Sequence, residues 1–169
     1  ALRPLAHPPY PGRTHRFYSG TSIVFPFGHG LSYSHIRSTI TAAKVAAQVP
    51  SAQIAWSASR VLRRTAIVAL NVTLTHDSGL PGVEVVLVFA APPVGVAGVD
   101  GAPRQILVTF TRVPLKVGEK RWVQLQVSAL ALSFGRADGT RILPSGDWDF
   151  WIGPLRPDNG GTSVRVRLT

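Results

Sequence analysis

The chain has 169 residues, of which 45% are hydrophobic, and it contains no cysteine. This length and apolar content predict one folded domain with a sizeable core, and they exclude a disordered chain. The lack of cysteine excludes a disulfide framework and thiol catalysis, and no apolar run in the sequence approaches the roughly 18 residues that would span a bilayer as a helix.

The formal net charge of +10 is unevenly distributed. Residues 1–76 carry eight Lys or Arg, all five His and no acidic residue, whereas residues 77–169 carry ten Lys or Arg and eight acids. Most basic residues are scattered, and only Arg60, Arg63 and Arg64 form a cluster. The pattern therefore favours a basic arm that meets an acidic neighbouring domain, or an anionic cell-wall polymer, over a nucleic-acid surface.

The first 30 residues predict an extended strap. The proline-dense run RPLAHPPYPG should cross a surface without forming a core element, and Gly and Pro exclude a long helix in residues 11–36. The aromatic rings of this stretch need a packing surface, and the later strands account for a sandwich without them. We therefore expect an interface with another domain or chain, formed by Arg13, Arg16, Phe17, Tyr18, Phe25, Phe27, His29 and Tyr33.

Residues 31–169 follow a β pattern. Alternating apolar residues predict strands near residues 31–40, 65–75, 104–115, 119–128, 147–153 and 163–169, and residues 83–90 are apolar on both faces, which is typical of a central strand. The segment 42–60 reads as a variable connection, helix-friendly before Pro50 and strand-like after it. About seven short strands between turns are the pattern of an all-β sandwich of the immunoglobulin-like or fibronectin type III-like kind.

A junction and three later sequence blocks resemble one known family. PGRTHRFYSG at 11–20 and FPFGHGLSYSH at 25–35 resemble the junction, PGRTYRFY-x-G followed by FPFGYGLSYT, that enters the C-terminal fibronectin type III-like domain of family-three glycoside hydrolases. Segments 70–93, 104–127 and 143–153 resemble later blocks of that domain in the same order. The PGRTYRFY form is that of the β-xylosidase-like branch. His15 and His29 each stand where the family usually has Tyr.

The resemblance implies a linker over residues 1–30 and a fibronectin type III-like β-sandwich over residues 31–169. It implies a non-catalytic, secreted or cell-wall module that stabilises preceding catalytic domains through its strap. The assembled protein would hydrolyse terminal β-linked xylose or glucose without a cofactor. The alternative is a structural or binding module of an extracellular assembly, with the basic strap contacting an acidic partner or polysaccharide.

No catalytic pair is expected in this chain. Retaining glycoside hydrolysis needs two carboxylates about 5–5.5 Å apart, and the nearest candidates are Asp147 and Asp149. The resemblance places the family's nucleophile and acid/base in domains outside this module, so these two aspartates are interpreted as an exposed pair on a strand. The five histidines lack metal-ligand spacing, and neither a metal nor a cofactor is predicted.

Two polar or aromatic features stand outside the strap. Asn71 opens the N-glycosylation sequon Asn-Val-Thr, and strand alternation places it on the outer face, where either a glycan or an unmodified side chain is expected. Trp148 shares the inward face with Phe150. Trp122 and Trp151 are candidates for the outer face, where packing against the strap or a neighbouring domain is favoured over sugar stacking.

Overall fold

The computed structural model describes residues 11–46, 53–54, 63–96, 102–136, 138–156 and 162–169. Within these ranges the chain forms, in order, α1 (Thr14–Phe17), β1 (Ser34–Val45), β2 (Gln53–Ile54), β3 (Ala66–Gly79), β4 (Gly82–Ala91), β5 (Ile106–Leu115), β6 (Lys120–Ser128), α2 (Ala129–Leu132), β7 (Phe134–Gly135), β8 (Arg141–Ile142), β9 (Gly146–Ile152) and β10 (Val164–Leu168).

Two antiparallel sheets form the body of the molecule. One has the strand order β1-β3-β6 and the other has the order β10-β9-β4-β5, while the short strands β2, β8 and β7 form a small third sheet. This arrangement confirms the predicted all-β sandwich, and β4 is a central strand as expected. The division into a linker of residues 1–30 and a sandwich of residues 31–169 stays a prediction.

The core lies between the two sheets, where the alternating apolar faces meet. On β3 the side chains of Val68, Leu70, Val72 and Leu74 are fully buried, because every second residue of a strand points to the same side. Trp148 is also fully buried, and its indole N–H donates to the carbonyl of Pro144 at 3.1 Å. The largest core side chain thus has its polar atom satisfied, which removes the cost of burying it.

The connection after β1 differs in part from the sequence expectation. The alanine-rich start of the segment 42–60 does not form a helix: β1 continues to Val45, and its residues pair with β3, for example Ala43 with Leu70. This long-range pairing overrides the local helix preference. Residues 53–54 form β2, whereas residues 47–52 and 55–62, which include Arg60, and residues 1–10 of the predicted strap lie outside the described residues.

Glu84 on β4 gives a pH-dependent test of the fold. Burial raises the pKa of the Glu84 carboxyl. Its contribution to the free energy of unfolding is therefore complete below the pKa of the unfolded chain and is lost as the pH rises through the pKa of the folded chain. We expect Glu84→Gln to be more stable than the parent at pH 7, because the amide removes the cost of burying a charge. The difference should vanish near about pH 4, where glutamate is largely protonated. Urea unfolding at both pH values measures it.

Asp77 supplies the control of opposite sign. Arg37 donates two hydrogen bonds to its carboxylate, one of them at 2.8 Å, and these lower the pKa of Asp77. The contribution of this carboxylate to the free energy of unfolding is present above the pKa of the unfolded chain and is lost as the pH falls through the pKa of the folded chain. Asp77→Asn should therefore reduce stability at pH 7 and converge with the parent in acid. A Glu84→Gln variant less stable than the parent at pH 7 would contradict the argument.

Candidate functional site

Residues 11–33, which precede β1, form a strap over the sandwich. Its only regular element among the described residues is the single turn α1, closed by the Tyr18 N–H to Thr14 carbonyl bond at 3.0 Å. The Ser19 N–H donates to the carbonyl of Pro11 at 2.8 Å, and the His29 N–H donates to that of Pro26 at 2.9 Å. These local bonds give the strap a defined path, although Gly and Pro interrupt any longer element.

Aromatic stacking attaches the strap to the outer face of the four-stranded sheet. The ring of His15 stacks on Phe27 with centroids 4.2 Å apart, and both meet the ring of Phe89 edge-on at 6.2 and 6.0 Å. Phe89 in turn stacks on Trp151 at 5.8 Å, and these two rings are each 1% exposed. Trp151 is therefore buried beside Phe89 and offers no surface for sugar stacking.

The backbone of the strap approaches the sheet closely at Gly28. This residue has φ of +91°, and a Cβ atom placed there would lie 2.9 Å from Cδ1 of Leu87. Any other L-residue would strain the backbone at this positive φ, and its Cβ atom would require the Leu87 side chain to shift. Gly28 thus explains how Phe27 can reach Phe89 while the next residue, His29, remains at the surface.

The histidines at the two family Tyr positions retain flat rings in aromatic stacks. Besides the His15–Phe27 pair, His29 stacks on Phe25 at 4.9 Å. Burial and the neighbouring Arg16 charge lower the pKa of His15, which favours the neutral ring in its stack. Each of the two positions thus carries a ring that stacks on a phenylalanine of the strap.

Arginines gather where the strap meets the loops of the sheet. The Arg104 N–H donates to the Arg16 carbonyl at 2.7 Å, and Arg156 donates to the Arg104 carbonyl at 3.0 Å while its guanidinium lies 5.7 Å above the Trp151 ring. Burial and the charge of Arg141 lower the pKa of Arg16. The Nε atom of Arg16 is buried and has no hydrogen-bond partner among the described residues.

A groove of about 810 Å³ runs between the strap and these loops. Tyr18, Ile23 and Phe25 line it on the strap side, and Arg104 and Arg156 line it on the other. Among the described residues that line it, none carries a carboxylate. The groove therefore combines apolar rings with guanidinium groups and suits an apolar surface that carries negative charge.

The predicted interface residues divide into two groups. Five are exposed, whereas Arg16, Phe17 and Tyr18 are half-buried, and none of the eight belongs to the core between the sheets. Phe25, Phe27 and Tyr33 are 71%, 49% and 86% exposed. The exposed five are Arg13, Phe25, Phe27, His29 and Tyr33.

Three exposed apolar residues of the strap are absent from the interface that the sequence predicts. Ile23, Val24 and Leu31 are 52%, 83% and 97% exposed in the same strap. The run Ile-Val-Phe, which has no alternating polar residue, is the sequence signal for this exposed apolar surface. The strap consequently shows a larger apolar surface than the aromatic residues alone would.

Asp147 and Asp149 form ion pairs across the edge of the sheet. Asp149 lies opposite Arg165 in the β9–β10 ladder, and its carboxylate accepts two hydrogen bonds from the guanidinium of Arg165, at 2.8 and 3.1 Å. The Oδ1 atom of Asp147 lies 3.6 Å from Nη1 of Arg167. Both carboxylates thus have structural partners on the strand face, and both are half-buried by this pairing where an exposed pair was expected. The described part of the chain contains no group of three or more residues suited to hold a metal ion, and no helix there is long and apolar enough to cross a membrane.

Comparison with known proteins identifies the module. Residues 84–155 match the fibronectin type III-like domain model. The chain is 33% identical over 164 residues to beta-D-xylosidase 1 of Arabidopsis thaliana, covering 87% of this chain and 21% of that protein. It is 38% identical over 125 residues to probable beta-glucosidase J of Aspergillus fumigatus, covering 71% of this chain and 13% of that protein.

Solved structures show the same fold. The beta-D-glucoside glucohydrolase of Trichoderma reesei matches with a TM-score of 0.69 at 17% identity, over 86% of this chain and 20% of that one. A GH3 beta-glucosidase of Bifidobacterium adolescentis matches with a TM-score of 0.63 at 20% identity, over 85% of this chain and 18% of that one. The chain spans about a fifth or less of the length of these relatives. The chain belongs to the family-three glycoside hydrolases of the β-xylosidase/β-glucosidase-like branch, whose C-terminal fibronectin type III-like domain it matches.

Proposed function

We propose that this module braces the catalytic domains of a secreted or cell-wall glycoside hydrolase through its strap. The assembled protein would hydrolyse terminal β-linked xylose or glucose, with the catalytic carboxylates outside this chain. The observation that carries the proposal is the strap itself. It is attached to its own sheet through His15, Phe27 and Phe89, yet it holds Ile23, Val24 and Phe25 more than half exposed.

Exposed apolar residues gathered on one fixed segment favour an interface over a free surface. Single apolar residues at a surface are ordinary, but contiguous ones mark contact sites. The hydrogen bonds and stacks that hold the strap already fix its shape, so little conformational entropy remains to be lost on association. A rigid apolar segment of this kind can stabilise a neighbouring domain as well as bind it.

The chemistry of the groove specifies the partner surface further. Arg104 and Arg156 line it beside Tyr18 and Phe25, so the partner should present carboxylates next to apolar side chains. A carboxylate-bearing surface of the catalytic domains meets both requirements. An acidic polysaccharide meets only the charge requirement, and it defines the alternative function as a binding module of an extracellular assembly.

The proposal is tested by supplying this chain to separately produced catalytic domains of the same protein. We expect association, a higher melting temperature for the catalytic domains, and an affinity that falls moderately with salt because the charged part of the contact is screened. Calorimetry and thermal unfolding measure these effects. Neither an aryl β-xyloside nor an aryl β-glucoside should be hydrolysed by the chain alone.

Two results would refute the proposal. Hydrolysis of either substrate by the purified chain would place an active site in it. Absence of association at low salt, together with salt-sensitive binding to an acidic polysaccharide such as polygalacturonate, would favour the alternative module. Binding to polygalacturonate that persists when Arg104 and Arg156 are replaced by glutamine would show that it does not use the groove.

A further inference from the structure

The outer face of the three-stranded sheet carries an unusually exposed tryptophan. Trp122 on β6 is 75% exposed, and it lies opposite Thr73 on β3, which lies opposite Thr39 on β1. Directly paired residues of an antiparallel sheet share one face, so these three side chains form a row across the sheet. The exposed indole presents a flat apolar face to any group that is held close above it.

Asn71 is the next residue along this face of β3. It opens the sequon Asn71-Val72-Thr73 and pairs with Ala42 on one side and Gln124 on the other. Its Oδ1 atom accepts a hydrogen bond from Nε2 of Gln124 at 3.2 Å. The side-chain amide is therefore directed toward β6, the strand that carries Trp122.

The folded sheet leaves room for a substituent on the amide nitrogen of Asn71. In the described part of the chain no hydrogen bond uses Nδ2, and the small Ala42 flanks it on the β1 side. Asn71 and Trp122 are diagonal neighbours across β3 and β6, a placement for which the usual separation is about 7–8 Å. A sugar ring attached to Nδ2 spans that distance.

We propose that Asn71 carries an N-linked glycan whose innermost sugars lie over the indole of Trp122. The apolar C–H face of a sugar suits the flat ring, and the glycan removes the ring from water. Gln124 holds the amide in the orientation that directs the glycan along β6. This inference requires entry into the secretory route proposed above, but it is independent of the strap and of its partner.

The modification step balances with one co-reactant, an oligosaccharide linked to a polyprenyl diphosphate. The Nδ2 atom forms a bond to the anomeric carbon of the first sugar, the bond from that carbon to the diphosphate oxygen breaks, and the polyprenyl diphosphate leaves with the electron pair. One amide proton passes to a base of the transferase. Because Asn71 is paired with strands on both sides, the transfer must precede closure of the sheet.

A tethered glycan fits this face better than a free polysaccharide does. Trp122 is the single Trp, Tyr or Phe ring contributed by the residues of β1, β3 and β6 that the structure describes. One stacked sugar gives little affinity to a ligand that must also lose its translational freedom. A covalent link supplies a high effective concentration, so that one ring suffices.

The first experiment is made on the native protein from its source. Peptide N-glycosidase treatment in heavy-oxygen water converts a glycosylated asparagine into labelled aspartate, which mass spectrometry of the peptide detects. We expect most Asn71 to carry the label. A peptide with mainly unmodified Asn71 would overturn the proposal.

The second experiment measures the covering of Trp122. Oxidation of its indole by hydroxyl radicals, read by peptide mass spectrometry, should be several-fold slower in the glycosylated protein than in Thr73→Val, which removes the sequon with a β-branched residue of similar size. Thr73→Ser keeps the sequon and should match the parent. The buried Trp148 and Trp151 serve as internal references because they should stay slow throughout.

Equal oxidation of Trp122 with and without the glycan would refute the stacking, even if Asn71 is modified. Binding of soluble xylan by the Thr73→Val protein that is lost on Trp122→Ala would instead assign the face to a free polysaccharide and overturn the proposal. Association of the strap with the catalytic domains should be the same in Thr73→Val and Thr73→Ser. A failure of either proposal is thus distinguishable from a failure of the other.

Discussion

Replacing Trp148 with alanine is expected to lower the free energy of unfolding by about 3–5 kcal/mol. The indole is fully buried in the core between the two sheets, and its N–H donates to the carbonyl of Pro144 at 3.1 Å. The variant loses the packing of the largest core residue and leaves a buried carbonyl without its donor. A domain of ordinary stability has about 5–15 kcal/mol in total, so the variant should be close to unfolding at 37 °C. Urea unfolding followed by circular dichroism measures the loss.

Two matched variants show whether the loss of stability comes from the burial of the indole or simply from its removal. Trp122→Ala, in protein produced without a glycan, removes the same group from a site that is 75% exposed and should change stability by no more than about 0.5 kcal/mol. Trp148→Phe keeps most of the side-chain volume but not the donor to Pro144. Its loss in the free energy of unfolding should lie between those of Trp122→Ala and Trp148→Ala. If Trp148→Ala cost no more than Trp122→Ala, the assignment of Trp148 to the core would be wrong.

Strand faces were predictable because alternation is a local property of the chain. In β10, Val166 and Leu168 are buried while Arg165 and Arg167 are exposed, as period-two reading predicts. The same rule places Trp148 and Trp151 on opposite faces of β9. Alternation alone could not predict that Trp151 is nevertheless 1% exposed, because its ring stacks on Phe89, which lies 62 positions earlier in the chain.

The strap was predictable in composition but not in position. Gly, Pro and aromatic residues indicated an extended segment that needs a surface, and the family resemblance indicated an interface. Which rings pack on the sheet and which face outward depends on the turn at Gly28 and on the rings of Phe89 and Trp151. The groove with Arg104 and Arg156 likewise forms only when distant segments meet, so no spacing in the sequence could show it.

Introducing glutamate at both Ile23 and Phe25 is expected to weaken association of the strap with the catalytic domains at least tenfold. Both side chains are more than half exposed and line the groove, so the exchange acts on the partner contact and changes the stability of the module by little. Buried aromatic and apolar anchors of an interface commonly contribute about 2 kcal/mol or more each, and a desolvated carboxylate adds a further penalty. Calorimetric titration of the catalytic domains with the double variant measures the change.

The same two charges placed on the opposite sheet give the control. Gln124→Glu with Gln126→Glu adds them on exposed positions of β6, away from the strap, and should leave the affinity within about twofold because exposed charges are screened. If both double variants weakened association equally, the effect would be one of net charge and the strap would not be the contact. Unchanged affinity in the Ile23 and Phe25 variant would mean that these exposed side chains do not meet the catalytic domains. A selective loss, by contrast, would identify the strap as the brace.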